Sequence, residues 1–251
     1  MTYQLPSNAN VRLLDSYYKS DSLTNGRAFK SFFKELGEQV FVLNLRIYED
    51  IGEFPLAYEE KNAYSSISYA IHSLTPYAWS ECHVDIKQPM LSEDKESKPK
   101  DKWRFVDFWC MSANKQFEAY IESKKLWLNI SENARWEFDS ACCERIQKAL
   151  NQLKDIKSAK VEMVSLANGA SFKVALFVIP LVYAPKGKPN LKDIESAPKY
   201  LEECLAGYLD DRKKMSLLMS VLDLRPFGGE SASSDGPNPY PFTALVAIVW
   251  E

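Results

Sequence analysis

Three charged side chains in the middle of this sequence stand where a charge is costly. Residues 117–130, FEAYIESKKLWLNI, read as a strand whose period-two register puts Tyr120, Glu122, Lys124, Leu126, Leu128 and Ile130 on one face. A carboxylate and an ammonium thus interrupt an apolar stripe, and a buried charge without compensation is strongly unfavourable. Residues 105–111, FVDFWCM, form a second apolar run, in which alternation assigns Asp107 to the face of Phe105 and Trp109. The polar segment 112–116 joins the two runs, so they are expected to make a hairpin with an acid on each strand. Two such carboxylates can hold a hard divalent cation, Mg2+ or Mn2+, which takes oxygen ligands and keeps waters. The cation can lower the pKa of a bound water and neutralise a phosphodiester, while Lys124, two residues beyond Glu122, orients the water or stabilises developing negative charge.

These residues need elements to hold them. Residues 55–74 read as a helix, started by Pro55, with Tyr64, Ile67, Ile71 and Leu74 on one face. Glu60 lies one turn before Tyr64 and shares that face, whereas Glu59 is turned away by about 100°. Glu60 is therefore the candidate third acid, against the alternative of a solvent-facing carboxylate favoured by the helix dipole. Residues 77–87 alternate as a strand before the hairpin. Beyond it a helix is expected over 131–156, capped by Ser131, with Trp136, Cys143, Ile146, Leu150 and Leu153 facing inward.

Asp107, fourteen intervening residues, and then Glu122-Ser123-Lys124 resemble the signature of the PD-(D/E)XK nuclease superfamily, the restriction-endonuclease-like fold. The resemblance covers residues 55 to about 157, and the order helix, three strands, helix is similar to the superfamily core. Val106 stands where the family's namesake proline would be. The resemblance implies an α/β (α+β) fold with a mixed central sheet flanked by helices and further elements at both termini. It also implies a metal-dependent nuclease with Asp107, Glu122 and Glu60 as ligands of Mg2+ (or Mn2+), Lys124 as the catalytic cation, and DNA or RNA as the substrate. A single domain is expected, with a core over residues 55–185 and a C-terminal elaboration over 190–251; monomer and homodimer are both left open.

The remaining chain is read more coarsely. A helix is expected over 27–38, stopped near Gly37, and residues 40–48 fit either a strand or its continuation. Strands are expected at 161–166 and 172–183 around Asn168-Gly169, a turn signal. A helix should follow within 191–209, its start limited by Pro198. Strands at 215–224 and 242–250 flank a long loop rich in Gly, Ser and Pro.

Composition narrows the function classes. With 46% hydrophobic, 13% aromatic and 26% charged residues the chain has a globular composition, and no apolar run approaches the roughly 20 residues of a bilayer span. The start of the sequence shows no signal-peptide pattern, so a cytoplasmic protein is expected. Five cysteines without a C-x-x-C spacing and only two histidines disfavour a zinc site, a disulfide framework and histidine-based hydrolysis. Nine glycines supply neither a phosphate-cradling loop nor a nucleophile elbow. A net charge of -3 counts against nucleic-acid binding through overall basicity; Lys95, Lys98, Lys100, Lys102 and Arg104 precede Asp107 and could supply phosphate contacts, but Glu93, Asp94, Glu96 and Asp101 are mixed among them, as in a solvated loop. His83 and Asp85 are read as a structural pair.

Two functions remain on these grounds. One is the nuclease. The other is a non-catalytic nucleic-acid- or protein-binding module of a bacterial defence or mobile-element system, in which the charges of the hairpin form only a salt bridge and some of the many aromatics are exposed for partners.

Overall fold

A computed structural model describes residues 1–85, 103–154, 156, 169–227 and 239–251. The described strands are β1 (Thr2–Gln4), β2 (Asn10–Leu14), β3 (Ala78–Asp85), β4 (Trp103–Met111), β5 (Phe117–Lys125), β6 (Leu128–Asn129), β7 (Ala170–Val182), β8 (Ser216–Asp223) and β9 (Phe242–Trp250). The described helices are α1 (Gly26–Ile51), α2 (Glu60–Leu74), α3 (Ser140–Lys154) and α4 (Leu191–Ala206). All the strands join one mixed sheet in the order β1-β2-β8-β9-β7-β5-β4-β3, with β6 also against β7. The fold is therefore α+β, as the sequence led one to expect.

Both faces of the sheet are covered, and the alternation along its central strands divides the core in two. Phe172, Val174, Leu176 and Val178 of β7, with Leu245, Ala247 and Val249 of β9, face α1 and α2. Ala175, Phe177, Ile179 and Leu181, with Ala244, Val246 and Ile248, face α3 and α4. Strands buried on both sides lose the polar half of the usual alternation, which is why β7 and β9 read as continuous apolar runs. β5 lies parallel to β7, with Phe117 opposite Ala170 and Lys125 opposite Val178, while β4 and β9 run antiparallel to their neighbours β5 and β7.

Four helix boundaries differ from expectation. Pro55 does not start α2, which begins at Glu60; it opens a separate 3-10 turn over Pro55–Ala57. Gly37 does not stop α1, which continues to Ile51. It is a point of close approach: a Cβ there would stand 3.0 Å from Ser220 Oγ and 3.1 Å from Ser220 Cβ on β8. α3 starts at Ser140, where the Asp139 carboxylate accepts from Cys142 N at 2.7 Å. Ser131 instead closes a turn, donating to Asn129 Oδ1 and accepting from Ala184 N. Pro198 lies inside α4, which begins earlier because Asn190 accepts from Asp193 N. The proline removes one backbone donor, and the helix persists because Ile194, Ala197, Leu201 and Leu205 anchor its inner face.

α2 is registered on α1 inside the core. Buried Asn44 donates to Val40 O at 2.7 Å and to Ser66 Oγ at 3.0 Å, tying the two helices together. The expected strand at 161–166, the turn at Asn168, the lysine-bearing loop before β4 apart from Arg104, and most of the loop between β8 and β9 lie outside the described residues. Among the described residues no helix is long and apolar enough to cross a membrane.

The close approach at Gly37 is testable. Gly37→Val should lower stability by about 1–3 kcal/mol through overpacking against Ser220, measured as a shift in urea midpoint at unchanged slope. The same substitution at the exposed helix position Glu49 should cost much less.

Candidate active site

The hairpin does not pair along its whole length. The β4–β5 ladder runs from Met111 opposite Glu118 to Phe108 opposite Ile121 and goes no further. At the next position the Asp107 side chain takes over from the backbone, its Oδ2 accepting from Ser123 N at 2.7 Å. On the other side of β4 the pairs Ser80–Phe108 and Cys82–Val106 flank Glu81, which has φ of 50° and no partner in the register. Left-handed backbone is unfavourable for a residue with a Cβ.

This kink alters which way side chains point. Val106 and Trp109 both pack toward α3 and α4, though three residues apart, while Phe108 and Cys110 face α1 and α2. Strict alternation would separate Val106 from Trp109. The shared face expected for Phe105, Asp107 and Trp109 is thus corrected: Phe105 is exposed and meets the ring of His83 edge-on at 5.7 Å.

Into the opening project all four residues singled out from the sequence. Lys124 Nζ lies 2.9 Å from Glu122 Oε1, 3.6 Å from Asp107 Oδ2 and 3.5 Å from Glu60 Oε1. It also donates to Ser123 O at 2.8 Å. The cluster is graded from inside to outside: the side chains of Glu122, Lys124, Asp107 and Glu60 are 3%, 12%, 26% and 45% exposed. Glu60 opens α2, where its charge suits the helix dipole, and its Oε2 accepts from Lys125 N at 3.2 Å. Glu59 points away and pairs with Lys61. Tyr64, one turn after Glu60, donates to Asp107 O at 3.1 Å and packs on Phe108, so α2 and β4 are fixed to each other beside the cluster.

The electrostatics are those of an overcharged acid site. Burial raises the pKa of Asp107; Lys124 and the Ser123 N–H pull it back, and Glu60 raises it further. Burial and then Asp107 raise that of Glu122, with Lys124 and Arg104 acting in the opposite direction. For Lys124, burial works to lower the pKa but the surrounding carboxylates, Asp107 and Glu122 foremost, outweigh it and hold the ammonium charged.

Lys125 is the neighbour that the sequence reading passed over. It is almost fully buried, its Nζ donates to Leu56 O and lies 4.7 Å from the ring centre of Trp127, and burial lowers its pKa to about 7. Its sequence signal was the second lysine of a pair inside a strand, which period two must send to the opposite face. Arg145 of α3 donates to Lys125 O at 2.9 Å. Tyr58, Glu59, Glu60, Lys61, Lys125, Trp127 and Arg145 line a groove of about 590 Å³ that meets the cluster at Glu60.

A metal can be tested against these residues. Among the described residues no three carboxylate, histidine or cysteine side chains stand at metal-ligand spacing, because the three acids are drawn onto Lys124. The donor chemistry nevertheless fits a hard divalent cation. Three carboxylates face one ammonium.

No protein-family model, no curated protein and no solved structure matches this chain.

The raised carboxyl pKa values have a sign that can be checked. An acid whose pKa is higher folded than unfolded binds more protons in the native state, so its contribution to stability falls as pH rises from the ordinary value through the raised one. The ordinary values are 3.8 for Asp107 and 4.5 for Glu122. Glu122→Gln should therefore gain melting temperature relative to wild type as pH rises above the ordinary value of 4.5, followed by circular dichroism. The reverse slope would mean that Lys124 holds Glu122 below its ordinary range.

Proposed function

We propose that this chain is a metal-dependent nuclease of the PD-(D/E)XK type that hydrolyses phosphodiester bonds of DNA or RNA in the cytoplasm. The observation that carries this reading is the meeting of Asp107, Glu122 and Glu60 around Lys124 at the point where the sheet opens. The order α2, β3, β4, β5, α3, β7, with β5 and β7 parallel, supports it, since the resemblance implied a helix, three strands and a helix around these residues.

In this reading Asp107 and Glu122 hold Mg2+ (or Mn2+), and Glu60 completes the acid set from the helix. The cation supplies charge neutralisation at the phosphate and a more acidic water. Lys124, held by the acids and by Ser123 O, orients the water that adds to phosphorus as the bond to the leaving oxygen breaks. Burial is the largest cause of the raised pKa values of Asp107 and Glu122, and carboxylates perturbed in this way cluster at functional sites.

One observation favours the second reading, a non-catalytic nucleic-acid- or protein-binding module: Lys124 is contacted by every acid of the cluster, as in a purely structural ion network.

Cleavage of mixed DNA and RNA substrates with Mg2+ or Mn2+ separates the two. Wild type should cleave, EDTA should abolish it, and Glu122→Gln and Lys124→Ala should each lose about 100-fold or more at matched folded yield. Absence of cleavage, together with no metal-induced rise in melting temperature, supports the binding module.

A further inference from the structure

The groove beside Glu60 is built differently from the acid cluster that it adjoins. Two aromatic rings line it, Tyr58 and Trp127, and they are 40% and 37% exposed. Each is tethered. The Tyr58 hydroxyl donates to Glu53, and Trp127 is backed by Lys125 Nζ, 4.7 Å from its ring centre. An exposed ring that is already immobilised loses little further entropy when something stacks on it.

The charges of the groove point the same way. Arg145 Nη1 donates to Lys125 O, and Arg145 also acts on the Asp139 carboxylate just before α3. Its side chain is exposed and lines the groove, so an anion there can reach it. Lys61 is opposed by Glu59, at 3.0 Å, so that pair is close to neutral. Anchored aromatics beside an exposed guanidinium suit a ligand that presents flat apolar faces and phosphates together. Unpaired nucleotides do so, whereas a duplex keeps its bases stacked inside and offers the groove only phosphates.

We propose that this groove binds an unpaired polynucleotide strand, with bases stacked on Trp127 and Tyr58 and a phosphate held by Arg145. The inference rests on the nuclease reading for its direction: a strand seated there passes Glu60 and brings its next phosphodiester to Asp107, Glu122 and Lys124. Single-stranded character is what the groove adds to the specificity of the site.

Fluorescence anisotropy with labelled single-stranded DNA, single-stranded RNA and the corresponding duplex, without added metal, tests it on the full chain. Wild type should bind a single strand at least about ten-fold more tightly than the duplex, and Tyr58→Ala or Trp127→Ala should weaken that binding by about ten-fold. Arg145→Gln should weaken it and flatten its salt dependence. Trp127→Phe, which keeps a ring over Lys125, should bind nearly as wild type, separating stacking from damage to the fold. The DNA and RNA arms decide which strand is preferred. Equal affinity for duplex, or full single-strand affinity in Tyr58→Ala and Arg145→Gln, overturns the inference even if the protein cleaves duplex with metal. Aromatic-dependent strand binding without metal-dependent cleavage would sustain the groove and remove the hydrolytic reading.

Discussion

The ammonium of Lys124 has to be paired, and much of the structure around it follows from that requirement. A lysine on a strand that is covered on both faces can keep its charge only if carboxylates surround it. Glu122 comes from the same strand, Asp107 from the neighbouring strand, and Glu60 from the start of α2. The last of these needs α2 to start against β5, which the Asn44–Ser66 bond and the Tyr64 contacts help to arrange. The cluster also needs room. β4 and β5 separate at Asp107, and the lost ladder bond is replaced by the Asp107 carboxylate on Ser123 N.

A kinked strand and a buried carboxylate, Glu122, both cost stability. The centre of the sheet can carry that cost, since β8 and β9 are buried along their whole length, β7 is buried from Val174 to Val182, and helices cover both faces. The strain sits toward one end of the sheet, at Glu81 and Asp107, away from these strands. Backbone irregularity of this kind is often found where side chains must be aimed at something other than their neighbours. Acid cluster and groove share Glu60, so the helix that supplies the third carboxylate also supplies one wall of the groove.

The secondary structure was readable where local pattern and burial agree. The hairpin, β7, β8 and β9 all carried strong periodicity or long apolar runs and lie close to their expected places, and α2 ends where expected but starts at Glu60 instead of Pro55. Readings failed where a single residue served packing instead of local conformation. Gly37 looked like a helix stop because glycine favours chain ends; its missing Cβ instead lets α1 approach Ser220. Pro198 looked like a helix start because it lacks an N–H, and Ser131 looked like a cap because its hydroxyl could have served as one. Each residue type admits two uses, and only its neighbours in space choose between them.

The sequence by itself determined the chemistry on offer: Glu122 and Lys124 two apart on a strand, an acid on the strand before, and a further acid one turn ahead of an apolar helix face. Those relations depend on the periods of a strand and a helix, which local backbone geometry sets. What only the tertiary structure decided is that the four meet around one ammonium, that alternation breaks at Asp107, and that Lys125, Trp127, Tyr58 and Arg145 form a groove at their side. Several of these residues are far apart in the chain: Asp107 is 16 residues from Ser123, and Glu60 is 85 residues from Arg145, which lines the same groove. Such distances are bridged by burial of two apolar layers against one sheet, and no local period carries that information.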